Sequence, residues 1–328
     1  MTDTAPGDAM RSVASMRLEI AGLAIDVEVD RPTADIGFDP AHRRFLAPAS
    51  GVAAPDLVLR CTFGALPIDL IGNGELVFDS GGLWTLRRVD GRLVFVLRAP
   101  ERRNAPYRVA ILDEDLSQGQ IASTTGGRMD APSALLPDPL EYPLGEAILV
   151  CLLARGFGLM IHGCGVDDGG RGYLFAGQSG HGKTTMARLW QGEARVLNDD
   201  RIVLRARDER LVMYGTPWHG DHPEVDSGGV PLERIFLLSH APSNGMVAVR
   251  PSDAASRLLA RSFPPLWSAQ GMSRTLEFLA EVTSLAPCAS LGFAPTKDVV
   301  GFVRDSGRAR PACGPRWSGS ARGFPTAR

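Results

Sequence analysis

Gly172-Tyr173-Leu174-Phe175-Ala176-Gly177-Gln178-Ser179-Gly180-His181-Gly182-Lys183-Thr184 is the stretch on which the fold turns. Its first five residues form an apolar run of strand type. They lead into the pattern GxxxxGK[ST], and helix-compatible residues continue from Lys183 to about Gln191, with Gly192 ending the helix. That strand–loop–helix context is what a phosphate-binding loop requires. Glycines let the backbone curl so that successive N–H groups point inward at phosphate oxygens. The helix N-terminus adds partial positive charge. The pattern therefore predicts that Gly177, Ser179, Gly180, His181, Gly182, Lys183, Thr184 and Thr185 cradle a nucleoside triphosphate, ATP with Mg²⁺. Lys183 reaches the β- and γ-phosphates and the Thr184 hydroxyl ligates the metal. The competing reading is a glycine-rich turn without a ligand. Of 35 basic residues only Lys183 and Lys297 are lysines, so a lysine at this place fits the need for a compact point charge.

Outward from the loop, Val196-Leu197-Asn198-Asp199-Asp200 follows the helix. If Arg195–Leu197 lies beside the strand that feeds the loop, its C-terminal end emerges at the phosphate edge of the sheet. Two acids there can divide labour. Asp199 is expected to accept the proton of an acceptor hydroxyl, and Asp200 to hold Mg²⁺ together with Thr184. An acidic turn capping a strand is the bland alternative. Upstream, His162 stands in Met160-Ile161-His162-Gly163, on the run Leu159–Val166 that pairs as a hairpin with Gly172–Ala176 through Asp167-Asp168-Gly169-Gly170-Arg171. That pairing would bring His162 near the γ-phosphate, although a lone strand histidine is more often structural. Tyr214-Gly-Thr-Pro-Trp-His-Gly-Asp221 reads as a loop that either binds an acceptor or closes over the nucleotide, or else as a turn anchored by Trp218.

The rest of the chain sets the frame. Residues 1–125 read as a β-rich N-terminal domain. Met16–Val29 and Asp56–Phe63 alternate apolar and polar residues, and Leu83–Val89 and Arg92–Leu97 flank the hairpin signal Asp90-Gly91. Gln118–Pro139, with its Gly, Ser and Pro, reads as a linker, and the boundary between the domains is drawn at 126–139. The second domain, 140–306, starts with an apolar helix over Leu144–Arg155. It continues through strands at Arg201–Arg205, Leu211–Tyr214, Arg234–Leu238 and Ala289–Phe293, with helices at Ser252–Ser262, Ser273–Leu285 and Thr296–Arg304. The tail 307–328 carries five arginines and no acid and reads as disordered.

With 328 residues and 44% hydrophobic content the chain can bury more than one core. A net charge of −2 argues against a nucleic-acid partner. Cys61, Cys151, Cys164, Cys288 and Cys313 lack metal spacing. The absence of a signal peptide and of a spanning segment gives the expectation of a soluble, cytoplasmic protein with no membrane partner. A homo-oligomer stays open.

The elements His162-Gly, Gly177-x-Ser-Gly-x-Gly-Lys-Thr and Asn198-Asp-Asp-Arg resemble, in order and spacing, the catalytic domain of HPr kinase/phosphorylase. The match covers roughly residues 135–305, most strongly 160–205. The chain looks closer still to HPr-kinase-related proteins with a Gly-Thr-Pro-Trp-His-Gly loop. Some of these accompany peptide-modifying enzymes, and some phosphorylate a serine on a ribosomally made peptide. The resemblance implies an α/β fold of the phosphoenolpyruvate-carboxykinase-like kind, a mixed sheet with flanking helices. It also implies ATP- and Mg²⁺-dependent phosphorylation of a serine or threonine on a peptide or protein. It places His162 near the phosphate, Lys183 on it, Thr184 on Mg²⁺, and base and metal roles on Asp199 and Asp200. The chain departs from the bifunctional enzymes in lacking their Glu-x-Arg-Gly-x-Gly segment and in its N-terminal region, and Asn198 and Thr184 replace Ala and Ser. A small-molecule kinase on the same scaffold, or a nucleotide-gated binding module without transfer, are the alternatives.

Overall fold

The computed structural model describes residues 14–32, 35–48, 54–126, 135–207 and 210–307. Within these, two compact units separate: 14–18, 24–39 and 46–144 form the first, and 19–23, 40–45 and 145–307 the second. The tail 308–328 and most of the expected linker, 127–134, lie outside the described residues.

A nine-stranded sheet organises the N-terminal part. Its order is Leu46–Ala47, Ala14–Ile20, Leu23–Val29, Leu57–Phe63, Gln118–Ser123, Ala105–Leu112, Arg92–Ala99, Trp84–Val89, Glu75–Asp79. The alternation seen in the sequence is realised in Leu23–Val29, which buries Leu23, Ile25, Val27 and Val29. Asp90 and Gly91 adopt φ of 50° and 78°, the left-handed pair a two-residue hairpin turn needs. One expectation fails here. Gln118–Ser123 is not linker but a central strand, parallel to Leu57–Phe63 and antiparallel to Ala105–Leu112. Its Gln-Gly-Gln-Ile-Ala-Ser composition has little intrinsic strand preference, and pairing on both edges overrides that.

In the second unit the feeding strand Gly172–Ala176 has the His162 strand Leu159–Asp167 on one side, antiparallel, and Gly229–His240 on the other, parallel. The His162 strand is shared between two sheets. Its first half, Leu159 to His162, pairs with Arg201–Arg207, and from Gly163 onward it pairs with Gly172–Ala176. Gly229–His240 is shared in the same way: its start pairs with Arg210–Tyr214 and its end with Gly172–Ala176 and Cys288–Phe293. Arg195–Asn198 does not lie beside the feeding strand as expected. It pairs with the His162 strand.

All five residues of the feeding strand are buried because both faces are covered. Tyr173 and Phe175 pack with Met186, Ala187 and Trp190 of the helix Lys183–Trp190 and with Val299, Val300 and Val303 of the helix Asp298–Gly307. Leu174 and Ala176 point the other way, into a core with Ala254, Leu258, Phe278, Leu279 and Val282 from the helices Pro251–Leu259 and Ala269–Leu285. A strand covered on both faces is read in sequence as an unbroken apolar run, as here. The expected helix Leu144–Arg155 is α-helical only over Leu144–Leu152. It widens into a π turn at Leu153–Phe157, where Gly156 sits at φ 104°. The last helix runs to Gly307, beyond its expected end.

Candidate functional site

Register explains why the predicted residues meet. Gly163 pairs with Ala176, the last residue before the loop, so His162 stands one residue from the loop's root. His162 in turn pairs with Arg201, which brings Asp199 and Asp200 to the same corner.

The loop is held by its own side chains. Lys183 is buried, and its Nζ donates to the carbonyls of Gly177 (3.2 Å) and Gln178 (3.1 Å). Burial lowers the pKa of its ammonium, with the charges of Asp200 and Asp199 acting against that shift. Gly182 caps the helix at φ 92°, and a Cβ there would come 2.7 Å from the Phe293 ring. Two histidines tie the loop to the end of Gly229–His240. His181 Nδ1 lies 3.1 Å from the Leu238 carbonyl, and His240 Nε2 donates to the Gly180 carbonyl at 2.6 Å. Ser179 and Gly180 are exposed, while Thr184 and Thr185 are half-buried in the first helical turn.

The two acids have different surroundings. Asp199 is 1% exposed and accepts three hydrogen bonds: from the Thr184 hydroxyl (2.8 Å), the Gly220 N–H (2.8 Å) and the His222 N–H (3.2 Å). Asp200 faces the other way, towards His162. His162 Nε2 lies 2.6 Å from Asp200 Oδ1, and the Arg201 guanidinium pairs with Oδ2. Burial pushes the Asp200 carboxyl up, but the His162 hydrogen bond and the Arg201 and Lys183 charges outweigh it, and the net shift is downward. The structure therefore puts Asp199, not Asp200, beside Thr184.

Asn198 holds the two halves of the site together. Its side-chain amide donates to the carbonyls of Thr216 (2.8 Å) and Trp218 (3.0 Å), and its oxygen accepts from the N–H groups of Asp200 (2.6 Å) and Arg201 (2.9 Å). All four of its main hydrogen-bonding capacities are used. Thr216 Oγ1 donates to the Arg201 carbonyl at 3.0 Å. The loop Tyr214–Asp221 is thus fastened to the carboxylate turn, with Trp218 buried and Asp221 exposed.

Sequence reasoning missed Asn198, Glu146, His240 and Phe263. Glu146 accepts from Arg201 Nε at 2.9 Å, and Phe263 lies under the same guanidinium. His240 ends the strand expected at Arg234–Leu238, so a longer reading of that strand would have found it. Burial pushes the thiols of Cys61, Cys151 and Cys288 up to about 12 and raises that of Cys164 as well, which disfavours the thiolate form at each of these described cysteines. Cys313 lies outside the described residues. No helix among them is long and apolar enough to cross a membrane.

The residues fit a magnesium nucleotide. A buried ammonium resting on two carbonyls can exchange them for phosphate oxygens, and a hydroxyl beside a carboxylate is the hard oxygen set that Mg²⁺ takes.

These features define a class: an α/β protein with a glycine-rich strand–loop–helix beside paired carboxylates. Comparison with known proteins goes one step further. Over 100 residues the chain is 31% identical to the HPr kinase/phosphorylase of Limosilactobacillus reuteri strain DSM 20016, and equally to that of subspecies reuteri strain JCM 1112. Each match takes in 30% of this chain and 29% of the relative, so the chain spans less than a third of the length of the curated relatives it matches. The solved HPr(Ser) kinase/phosphatase of Coxiella burnetii aligns at TM-score 0.29 and 9% identity, over 45% of this chain and 95% of that one. No family profile matches the chain. The chain is distantly similar to HPr kinase/phosphorylases.

Proposed function

We propose that the chain is an ATP- and Mg²⁺-dependent phosphotransferase of the HPr serine kinase type, on a phosphoenolpyruvate-carboxykinase-like scaffold, acting on a serine or threonine hydroxyl of a peptide or protein. The observation that carries this reading is the turn Asn198–Asp200, which presents one carboxylate to Thr184 and the other to His162. The distant similarity to HPr kinase/phosphorylases supports it.

In this reading the loop N–H groups and Lys183 bind the phosphates, and Thr184 and Asp199 hold the metal. Bound Mg²⁺ neutralises charge on the phosphate oxygens. Asp199 is buried and already accepts from three donors, which leaves one lone pair, on Oδ1, for the metal and no open face for an acceptor, so in this reading the division expected from the sequence is reversed. Asp200 keeps a free lone pair on each oxygen beyond its bonds to His162 and Arg201. Its lowered pKa keeps it ionised at neutral pH. It orients the acceptor hydroxyl and takes its proton as the acceptor oxygen bonds to the γ-phosphorus of ATP and the bond from that phosphorus to the β,γ-bridging oxygen breaks, with ADP as the leaving group. His162 donates to Asp200 Oδ1 and fixes that carboxylate's rotamer. The lack of room at Asp199 and the fastening of the loop Tyr214–Asp221 leave the acceptor to approach from the His162 side.

The test has two stages. Calorimetric titration with ATP and Mg²⁺ should give binding in the wild type that Lys183→Ala abolishes or severely weakens, while the mutant stays folded. Incubation with γ-labelled ATP and candidate acceptors should then label a polypeptide. Label on a metabolite would favour a small-molecule kinase, and binding without any transfer would leave only a nucleotide-gated module. Equal ATP affinity in both proteins sinks the nucleotide assignment.

A further inference from the structure

We infer that Glu146 and Phe263 are positioning residues that clamp the Arg201 guanidinium and, through it, hold Asp200 on His162. The inference rests on the reading of Asp200 and His162 given above, but the geometry behind it is independent of the nucleotide. Arg201 is gripped on three sides. Its Nε donates to Glu146 Oε2 at 2.9 Å, its NH1 group pairs with Asp200 Oδ2, and its Cζ lies 4.4 Å from the centroid of the Phe263 ring. Asp200 then meets His162 Nε2 at 2.6 Å, and the His162 ring stands edge-on to Phe263, 6.3 Å between centroids. Side-chain exposure climbs along the row, from 13% at Glu146 through 16% at Arg201 and 21% at Asp200 to 28% at His162. The clamped end is interior and the free end is open.

Three separate parts of the chain build this row. Glu146 sits in the first turn of Leu144–Leu152. Arg201 opens its strand directly after the carboxylate turn. Phe263 is delivered by a short antiparallel contact: Ile161 bridges Ser262, His162 N–H donates to the Arg261 carbonyl (2.7 Å), and Phe263 N–H donates to the Met160 carbonyl (2.9 Å). The same contact that holds His162 by its backbone therefore seats Phe263 against Arg201.

A guanidinium is a planar fork that binds a carboxylate bidentately when it can. Shared between Glu146 and Asp200, Arg201 takes one edge of each, which leaves Asp200 Oδ1 for His162. Without Glu146 the nearest anion for the whole fork is Asp200, and a bidentate pair would draw both carboxylate oxygens away from His162. Phe263 stacks on the guanidinium plane and keeps the fork from tilting towards Asp200. Glu146 is held in this exchange at some cost: burial raises its pKa, against the attraction of Arg201.

The test reads the His162–Asp200 contact directly, by proton–nitrogen NMR on protein labelled with ¹⁵N-histidine. The Nε2–H of His162 should give a downfield resonance, assigned by its loss in His162→Asn. Glu146→Ala and Phe263→Leu should both lose it. Phe263→Tyr, which keeps the ring face, should restore it. Calorimetric ATP·Mg²⁺ affinity of Glu146→Ala and Phe263→Leu should stay within about threefold of wild type, while phosphoryl transfer falls by about 10²-fold or more. If Glu146→Ala does not fold, the Phe263 pair decides. The inference is overturned if the resonance survives in Phe263→Leu, if Phe263→Tyr is as defective as Phe263→Leu, or if ATP affinity collapses together with the resonance. A wild type that binds no ATP would remove the kinase reading but leave the resonance test of the clamp standing.

Discussion

The Thr184 hydroxyl donates to Asp199 Oδ2 across 2.8 Å, joining residues fifteen apart in sequence. The same carboxylate receives the N–H groups of Gly220 and His222, and a Cβ at Gly220 would lie 2.9 Å from Asp199 Oδ2. Asp199 is thus the point at which the glycine-rich loop and the segment Gly215–His222 meet. A buried carboxylate gripped by three donors is fixed in place, which supports the metal-side role proposed for it rather than contact with an acceptor hydroxyl.

This arrangement separates the two acids by experiment. Asp200→Asn should bind ATP normally and lose phosphoryl transfer by about 10²–10⁴-fold, the usual contribution of a positioned base. Asp199→Asn should instead raise the Mg²⁺ concentration needed for half-maximal binding of ATP. Single-turnover transfer and magnesium titrations on both variants check this. The opposite pattern would restore the division expected from the sequence.

Asn198 makes a second prediction about the same turn. Asn198→Asp exchanges an amide that donates to the Thr216 and Trp218 carbonyls for a carboxylate facing them. Each buried carbonyl left unpaired costs about 1–3 kcal/mol. A domain of this size loses roughly 2–4 °C of melting temperature per kcal/mol. A calorimetric melt should show a fall of at least several degrees, with faster amide exchange at Thr216–Gly220. An unchanged melt would mean that other contacts hold the loop.

How much of this was legible in the sequence follows the range of the interactions. The strand–loop–helix at Gly172–Trp190 and the hairpin that carries His162 are local, and their patterns announced them. The place of Arg195–Asn198 was misread because strand neighbours are chosen by pairing across the sheet, which composition does not encode. Glu146 meets Arg201 across 55 residues, and Phe263 reaches it through a strand contact 101 residues long in sequence (Ile161 to Ser262). No short pattern records either. Asn198 was visible as a departure from the resembled family, but its four hydrogen bonds become evident only when the loop from Tyr214 to Asp221 is placed beside it.

Gly182 tests the loop without touching a charge. Its φ of 92° disfavours any side chain, and the Phe293 ring fills the space a Cβ would need. Gly182→Ala should therefore shift the loop, at a cost of about 1–3 kcal/mol, and weaken ATP binding at least tenfold. The readouts are a thermal melt and calorimetric titration with ATP·Mg²⁺. Wild-type affinity in Gly182→Ala would show that the loop geometry is not what binds the nucleotide.

The last prediction concerns pH and lies away from the site. Asp168, in the turn between the His162 strand and the feeding strand, binds Arg304 of the final helix through Nε (3.1 Å) and NH2 (2.8 Å). Arg171 lies 2.9 Å away on its other side, and the Asp168 side chain is only 11% exposed. The Arg304 hydrogen bonds lead in holding its pKa below the ordinary carboxylate value, with burial opposing and the Arg304 and Arg171 charges assisting. A carboxyl whose pKa is lower folded than unfolded stabilises the protein above the unfolded value, about 4, and loses that contribution as pH falls through the folded value. Asp168→Asn should therefore be less stable than wild type at neutral pH by about 1–3 kcal/mol, the worth of hydrogen bonds to a charged partner. The gap should stay constant down to about pH 5 and close as pH drops further. Urea unfolding of both proteins across this range measures it. A gap that stays the same at the acidic end would assign the loss to packing of the turn rather than to the charge on Asp168.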